Sequence, residues 1–200
     1  MSRSFRTQKE SLVAERRIAR TPDGEPCLPR IVVRNPRPGD AHVLDHALIE
    51  RFLREQPPES FYGLAAIELR ARQGRVGRPF ASYRGAGKTV IIYSVPPVWT
   101  FKTNSTFCAL SMMRFGAVAD LADGVLTVSW PDGSFPEMWF LFDVLAHELG
   151  HHARKQFVHK NGKRGSRQDE ERLADRAARR ALAASMKQWA QGRSTSLPPT

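Results

Sequence analysis

The sequence is poor in cysteine, poor in acid relative to base, and without any long apolar run. Two cysteines in 200 residues, Cys27 and Cys108, exclude a disulfide-built secreted module and a four-cysteine zinc finger. No stretch approaches about 18 consecutive apolar residues, so no membrane span is expected. The first twenty residues carry bases but lack the apolar core of a secretory signal, and Glu10 and Glu15 argue against a transit peptide. The expected compartment is therefore cytoplasmic, with both thiols reduced. There is no internal repeat.

The composition that remains is globular, with 41% hydrophobic and 26% charged residues. A chain of this length buries roughly 70% of its unfolded surface and needs no covalent staples. The charge is lopsided, with 31 Lys and Arg against 20 Asp and Glu, a formal net of +11. Residues 121–152 hold no Lys or Arg and five acids, whereas residues 153–200 hold twelve bases against four acids. Such a basic C-terminal third either keeps the protein in solution as a solvated face or attracts nucleic acid, a possible partner.

Residues 1–38 are Arg-rich and broken by Pro22, Pro26, Pro29, Pro36 and Pro38. They read as a flexible basic arm with at best a short helix near Leu12–Ile18. A domain over 39–191 and a disordered tail over 192–200 complete the expected organisation. Within the domain, Asp40 offers an N-cap for an amphipathic helix over 41–55, with Val43, Leu44, Ala47, Leu48 and Phe52 on its inner face. Strand-like runs follow at 61–70 and 88–95, with 80–84 joined to the latter as a hairpin through Gly85 and Gly87. Residues 103–116 read as helical and 124–130 as a further strand. The most apolar segment, 138–146, reads as a buried helix that runs straight into His147-Glu148-Leu149-Gly150-His151-His152. Ser166 with Asp169 resembles a capping box opening a last helix over 167–189.

His147-Glu148-Leu149-Gly150-His151 fits the H-E-x-x-H pattern. Residues four apart on a helix lie one turn apart and about 40° from each other, so both imidazoles reach one ion. Zn²⁺ accepts imidazole nitrogen, and catalytic sites add a third protein ligand while keeping one position for water. Glu148 lies about 100° round from His147, beside the ion, where a general base takes a proton from water. The third ligand is sought downstream. Glu171-Arg172-Leu173-Ala174-Asp175 puts Glu171 in line with Ala174, Ala178, Leu182, Met186 and Trp189, the apolar stripe of the last helix. Asp175, one turn on, is placed to accept from the second nitrogen of a ligand imidazole.

These two segments together resemble the gluzincin branch of the zincin metallopeptidases, with spacing most similar to the ImmA/IrrE-like and HtpX-like arrangements. HtpX-like proteins are membrane-embedded, so that likeness extends to the ligands alone. The resemblance covers about residues 143–178. It implies an α+β zincin-like fold with a small mixed sheet, a buried motif helix and a following glutamate helix. It also implies a zinc-dependent hydrolase of peptide bonds, with zinc held by His147, His151 and Glu171 and with Glu148 as base. The metzincin pattern is not met, since Phe157 stands where its third histidine would.

Other residues carry weaker signals. His152 reads as a neighbour of the ligands rather than a ligand, His159 as a loop histidine, and His42 and His46 as an exposed pair on the first helix. Gly85-Ala86-Gly87-Lys88-Thr89 resembles the end of a phosphate-binding loop, but Ser82 replaces its first glycine and a strand follows. Tyr62, Tyr83, Tyr93 and His159 are the candidates to steady a developing oxyanion. The strand at 124–130 offers an edge for an extended peptide. The rival reading is a non-catalytic, nucleic-acid-binding protein in which zinc is structural or absent.

Overall fold

The computed structural model describes residues 26–72, 80–103, 106–158 and 167–193. Among them lie four helices and seven strands in an α+β arrangement. The strands are β1 (Arg30–Val33), β2 (Ala66–Arg70), β3 (Ala81–Arg84), β4 (Thr89–Tyr93), β5 (Val98–Lys102), β6 (Val118–Ala122) and β7 (Val125–Ser129). The helices are α1 (His46–Glu55), α2 (Thr106–Met113), α3 and α4 (Arg167–Arg193). Helix α3 is one continuous rod: it opens at Pro136–Trp139, widens to a π-helix over Phe140–Leu145 and continues as Ala146–Val158.

The first sheet has the order β1-β2-β4-β3. β1, β2 and β4 run parallel, and β3 closes the edge as the antiparallel arm of a hairpin with β4. Parallel strands are buried on their faces, which explains the unbroken run Val90-Ile91-Ile92 in β4, all three nearly inaccessible. The second sheet, β5-β7-β6, is antiparallel throughout. Its inward residues Trp99, Leu126 and Val128 join the core, and Thr100, Thr127 and Asp120 lie in register on the opposite face.

The core sits between these sheets and α3. Phe80 stands 5.1–6.0 Å from the rings of Trp99, Phe101, Trp139 and Phe140, mostly edge to face, the arrangement aromatic quadrupoles favour. Trp139 donates its indole N–H to Ser111 Oγ at 2.9 Å, so that a buried polar atom is satisfied. From Trp139 to Ala146 every α3 residue but Asp143 is buried. The π-helical turn, in which Ala146 N–H bonds Leu141 C=O, ends two residues before His147. Such turns gather at functional sites.

Several expectations are corrected here. Residues 30–33, placed in the arm by their prolines, form β1 and pair with β2. The first helix starts at His46 and is capped by Asp45, whose carboxylate accepts from Leu48 N–H at 2.8 Å. Asp40 instead is buried with Arg72 and Ser94, accepting from Arg72 Nε at 3.3 Å and Ser94 Oγ at 3.2 Å. His42 therefore lies outside the helix and donates its ring Nε2–H to the Arg34 carbonyl at 2.7 Å, while His46 sits 3.7 Å from Glu50. Residues 85–88 are the β3–β4 turn, with no helix at which a phosphate would rest. β5 and β6 had no counterpart in the sequence reading. β7 lies in the middle of its sheet with both edges paired, so it is not a free edge for a peptide. The expected helix near Leu12–Ile18, the loop residue His159 and the capping residue Ser166 fall outside the described residues, as does the tail from 194; residues 192 and 193 close α4.

Candidate metal centre

The site forms where α3 crosses α4. At Gly150 the two helices approach closely. A β-carbon built on it meets Ala174 Cα at 2.8 Å, Ala177 Cβ at 2.8 Å and the Ala174 carbonyl at 3.1 Å. Ala174, Ala178 and Ala181 make the buried face of α4. Small residues on both helices thus let two backbones approach closely, and the first turns of α4 come within reach of the α3 imidazoles.

Three donor atoms meet there. His147 Nε2 lies 3.1 Å from His151 Nε2, and Glu171 Oε2 lies 3.3 Å from the first and 3.5 Å from the second. For a tetrahedral ion with bonds of about 2.0–2.1 Å, ligand atoms stand about 3.3–3.4 Å apart. The observed triangle has that size. The two imidazole nitrogens are within hydrogen-bond reach of each other, and a cation placed among the three atoms would accept all three lone pairs. These residues form a group able to hold a metal ion, and two imidazoles with a carboxylate are a donor set that suits zinc.

The tautomer of His147 follows from its other nitrogen. Nδ1 lies 3.0 Å from Asp175 Oδ1. A carboxylate only accepts, so Nδ1 carries the proton and donates, leaving the Nε2 lone pair directed at the centre. Both imidazoles are largely buried, at 21% and 17% side-chain exposure, whereas Glu171 is 48% exposed. Glu171 thus lies at the rim of the helix contact rather than inside the apolar stripe. Glu148 follows His147 on α3, is partly buried and stands outside the three-donor group.

His152 is more than a neighbour. It is fully buried. Its Nε2 lies 2.9 Å from the Tyr62 carbonyl and its Nδ1 lies 3.1 Å from Tyr83 Oη. The carbonyl only accepts, so Nε2–H donates to it and Nδ1 accepts from the Tyr83 hydroxyl. Burial holds the imidazole below its ordinary pKa, partly offset by the Tyr62 bond, and burial raises that of Tyr83. The ring also packs edge-on to Tyr83 at 5.3 Å. The metal-side helix is thereby tied to β3, the edge strand of its sheet. Of the oxyanion candidates, Tyr83 lies against α3. Tyr93, three residues from Val90, belongs to the other face of the sheet.

Sequence reasoning missed Asp143. It sits in the π-helical turn, one turn before His147, 3.9 Å from Arg114 Nη2 and with Oδ2 unbonded among the described residues. Burial raises its pKa; Arg114 opposes that shift, the charge of Asp175 adds to it, and Arg179 and His147 oppose it. Cys108 is pushed up to about 11, first by burial and then by the Asp143 charge, so its thiol stays protonated and inert.

Comparison with protein-family models, curated proteins and solved structures finds no match. Among the described residues no helix is long and apolar enough to cross a membrane.

Proposed function

We propose that this protein is a zinc-dependent metallopeptidase with a zincin-like, gluzincin-type site. The observation that carries the reading is the triangle of His147 Nε2, His151 Nε2 and Glu171 Oε2, with edges of 3.1–3.5 Å. These three residues would hold the ion. Bound there, zinc supplies a Lewis acid that acidifies water and polarises a carbonyl oxygen.

The chain's own residues supply the rest. Asp175 fixes His147 as the Nδ1–H tautomer and keeps its Nε2 available. Glu148, one residue past the first ligand, takes the proton of the attacking water and returns it to the leaving amine. β3 is the sheet edge tied to the motif helix, so an extended peptide adds there as a further strand. Tyr83, on that strand, has its hydroxyl 3.1 Å from His152 of the motif helix.

The test is a pair of measurements on purified protein. Wild type should hold one equivalent of zinc and cleave a denatured protein such as casein. The Glu148→Gln protein should keep the zinc and lose turnover by at least a thousandfold. Undiminished cleavage by that variant excludes Glu148 as base, and zinc retained by Glu171→Ala excludes the ligand set.

A further inference from the structure

Helix α4 has three faces, and the peptidase reading uses two of them. Setting Ala174 at 0° and advancing about 100° per residue, the buried stripe Ala174, Ala178 and Ala181 lies within about 20–40° of zero. Glu171 and Asp175 lie on one flank, toward the imidazoles. Arg172, Arg176 and Arg180 lie at about 160°, 200° and 240°, opposite the stripe, and all three are exposed. Arg179 lies at the edge of this arc, where its charge acts on Asp143. Asp169 is the acid among the described α4 residues that shares the arc.

We infer that this arginine row is a docking surface for the phosphate backbone of duplex nucleic acid. Three observations select that partner. The residues recur every fourth position, about 6 Å apart along the axis, so they form a row suited to a polyanion rather than a pocket for one anion. They are arginines, whose planar fork pairs two N–H groups with phosphate oxygens. Among the described residues the apolar stripe Ala174, Ala178 and Ala181 is buried and Ala174 packs on α3; Leu173 is the one exposed large apolar side chain described on α4, less than the continuous apolar face with which an interfacial membrane helix enters lipid. The whole chain carries +11, which raises the rate of encounter with a polyanion. The row recognises backbone and not bases, so binding is indifferent to sequence.

Counterion release gives the inference a number. Each phosphate neutralised adds about 0.9 to the slope of log K against log salt, so three contacts give about −2.7 and a loss of about 40-fold between 50 and 200 mM NaCl. The experiment is fluorescence anisotropy of a labelled 20-base-pair DNA duplex, with chelator present so that the metal centre plays no part. Wild type should bind with a slope of −2.7 or steeper. The triple variant R172Q/R176Q/R180Q, matched to wild type in circular dichroism and melting temperature, should bind at least tenfold more weakly at 100 mM salt, with a slope shallower by about 2.7. Sedimentation with phosphatidylserine vesicles is the second arm. No measurable duplex affinity in wild type, the same affinity and slope in the triple variant, or retention on vesicles without duplex binding each overturns the inference. None of these outcomes bears on zinc or peptide cleavage.

Discussion

Gly150 rests on the backbone of Ala174 with no room for a β-carbon, 2.8 Å being the distance at which one would meet the Ala174 α-carbon. The same contact carries Glu171, less than one turn earlier on α4, to the imidazoles of α3. The spacing of the helices and the assembly of the donor triangle are therefore one structural fact.

Gly150→Ala should show this. Alanine gains about 1 kcal/mol of helix propensity over glycine, but overpacking costs about 1–3 kcal/mol and pushes α4 outward. Zinc affinity, measured by competition with a chromophoric chelator, should fall at least tenfold. Adding Ala177→Gly should not restore it, because the remaining clash is with backbone. Wild-type affinity in Gly150→Ala would show that the contact does not set the site.

Asp175→Asn keeps the size of the side chain but offers an amide that can donate as well as accept. His147 then loses the partner that fixes its tautomer. The expected result is a 10- to 100-fold loss of zinc affinity, with little change in the melting temperature of the metal-free protein.

His152 makes stability depend on pH. Its folded pKa is lowered, so below about pH 6.5 the unfolded chain binds the proton more readily than the folded one. The stabilisation is complete above that value and is lost as pH falls toward the folded pKa. In chelator, the unfolding free energy of wild type should decline from pH 7 to 5. His152→Gln should flatten that decline by up to about 1.4 kcal/mol per pH unit, the limit for one proton. Tyr83→Phe, which strips the donor from a buried ring nitrogen, should cost about 1–2 kcal/mol at pH 7 in denaturant titration.

Asp143 has the opposite sign. Its folded pKa is raised, so its charge weakens the fold at neutral pH and protonation relieves the strain as pH falls. Asp143→Asn should raise the melting temperature at pH 7 and raise it less near pH 4, as the wild-type carboxyl takes up a proton. A gain of equal size at both values would rule out the carboxylate charge as its cause.

The motif histidines, the burial of the helix that bears them, and the hairpin of β3 and β4 were legible in the chain, because each is a local pattern: i and i+4 spacing, an apolar run, two strands around glycines. The edge strands were harder. β6 exposes Val118 and Leu121 and lacks clean alternation. β1 sits among prolines that argue for a loop, and only its pairing with β2 makes it a strand. Asp40 and Asp45 are equally plausible caps by residue type. Burial of Asp40 against Arg72, 32 residues away, decided between them.

The sequence by itself determined that two imidazoles share one helical face, because backbone geometry allows nothing else at that spacing. Only the tertiary structure decided whether a third donor joins them. That depends on how closely two helices cross, and closeness is set by the side chains absent from Gly150 and kept small at Ala174 and Ala177. It also decided that His152 is a buried tie to β3 instead of a surface residue, since its partners Tyr62 and Tyr83 lie 90 and 69 positions away.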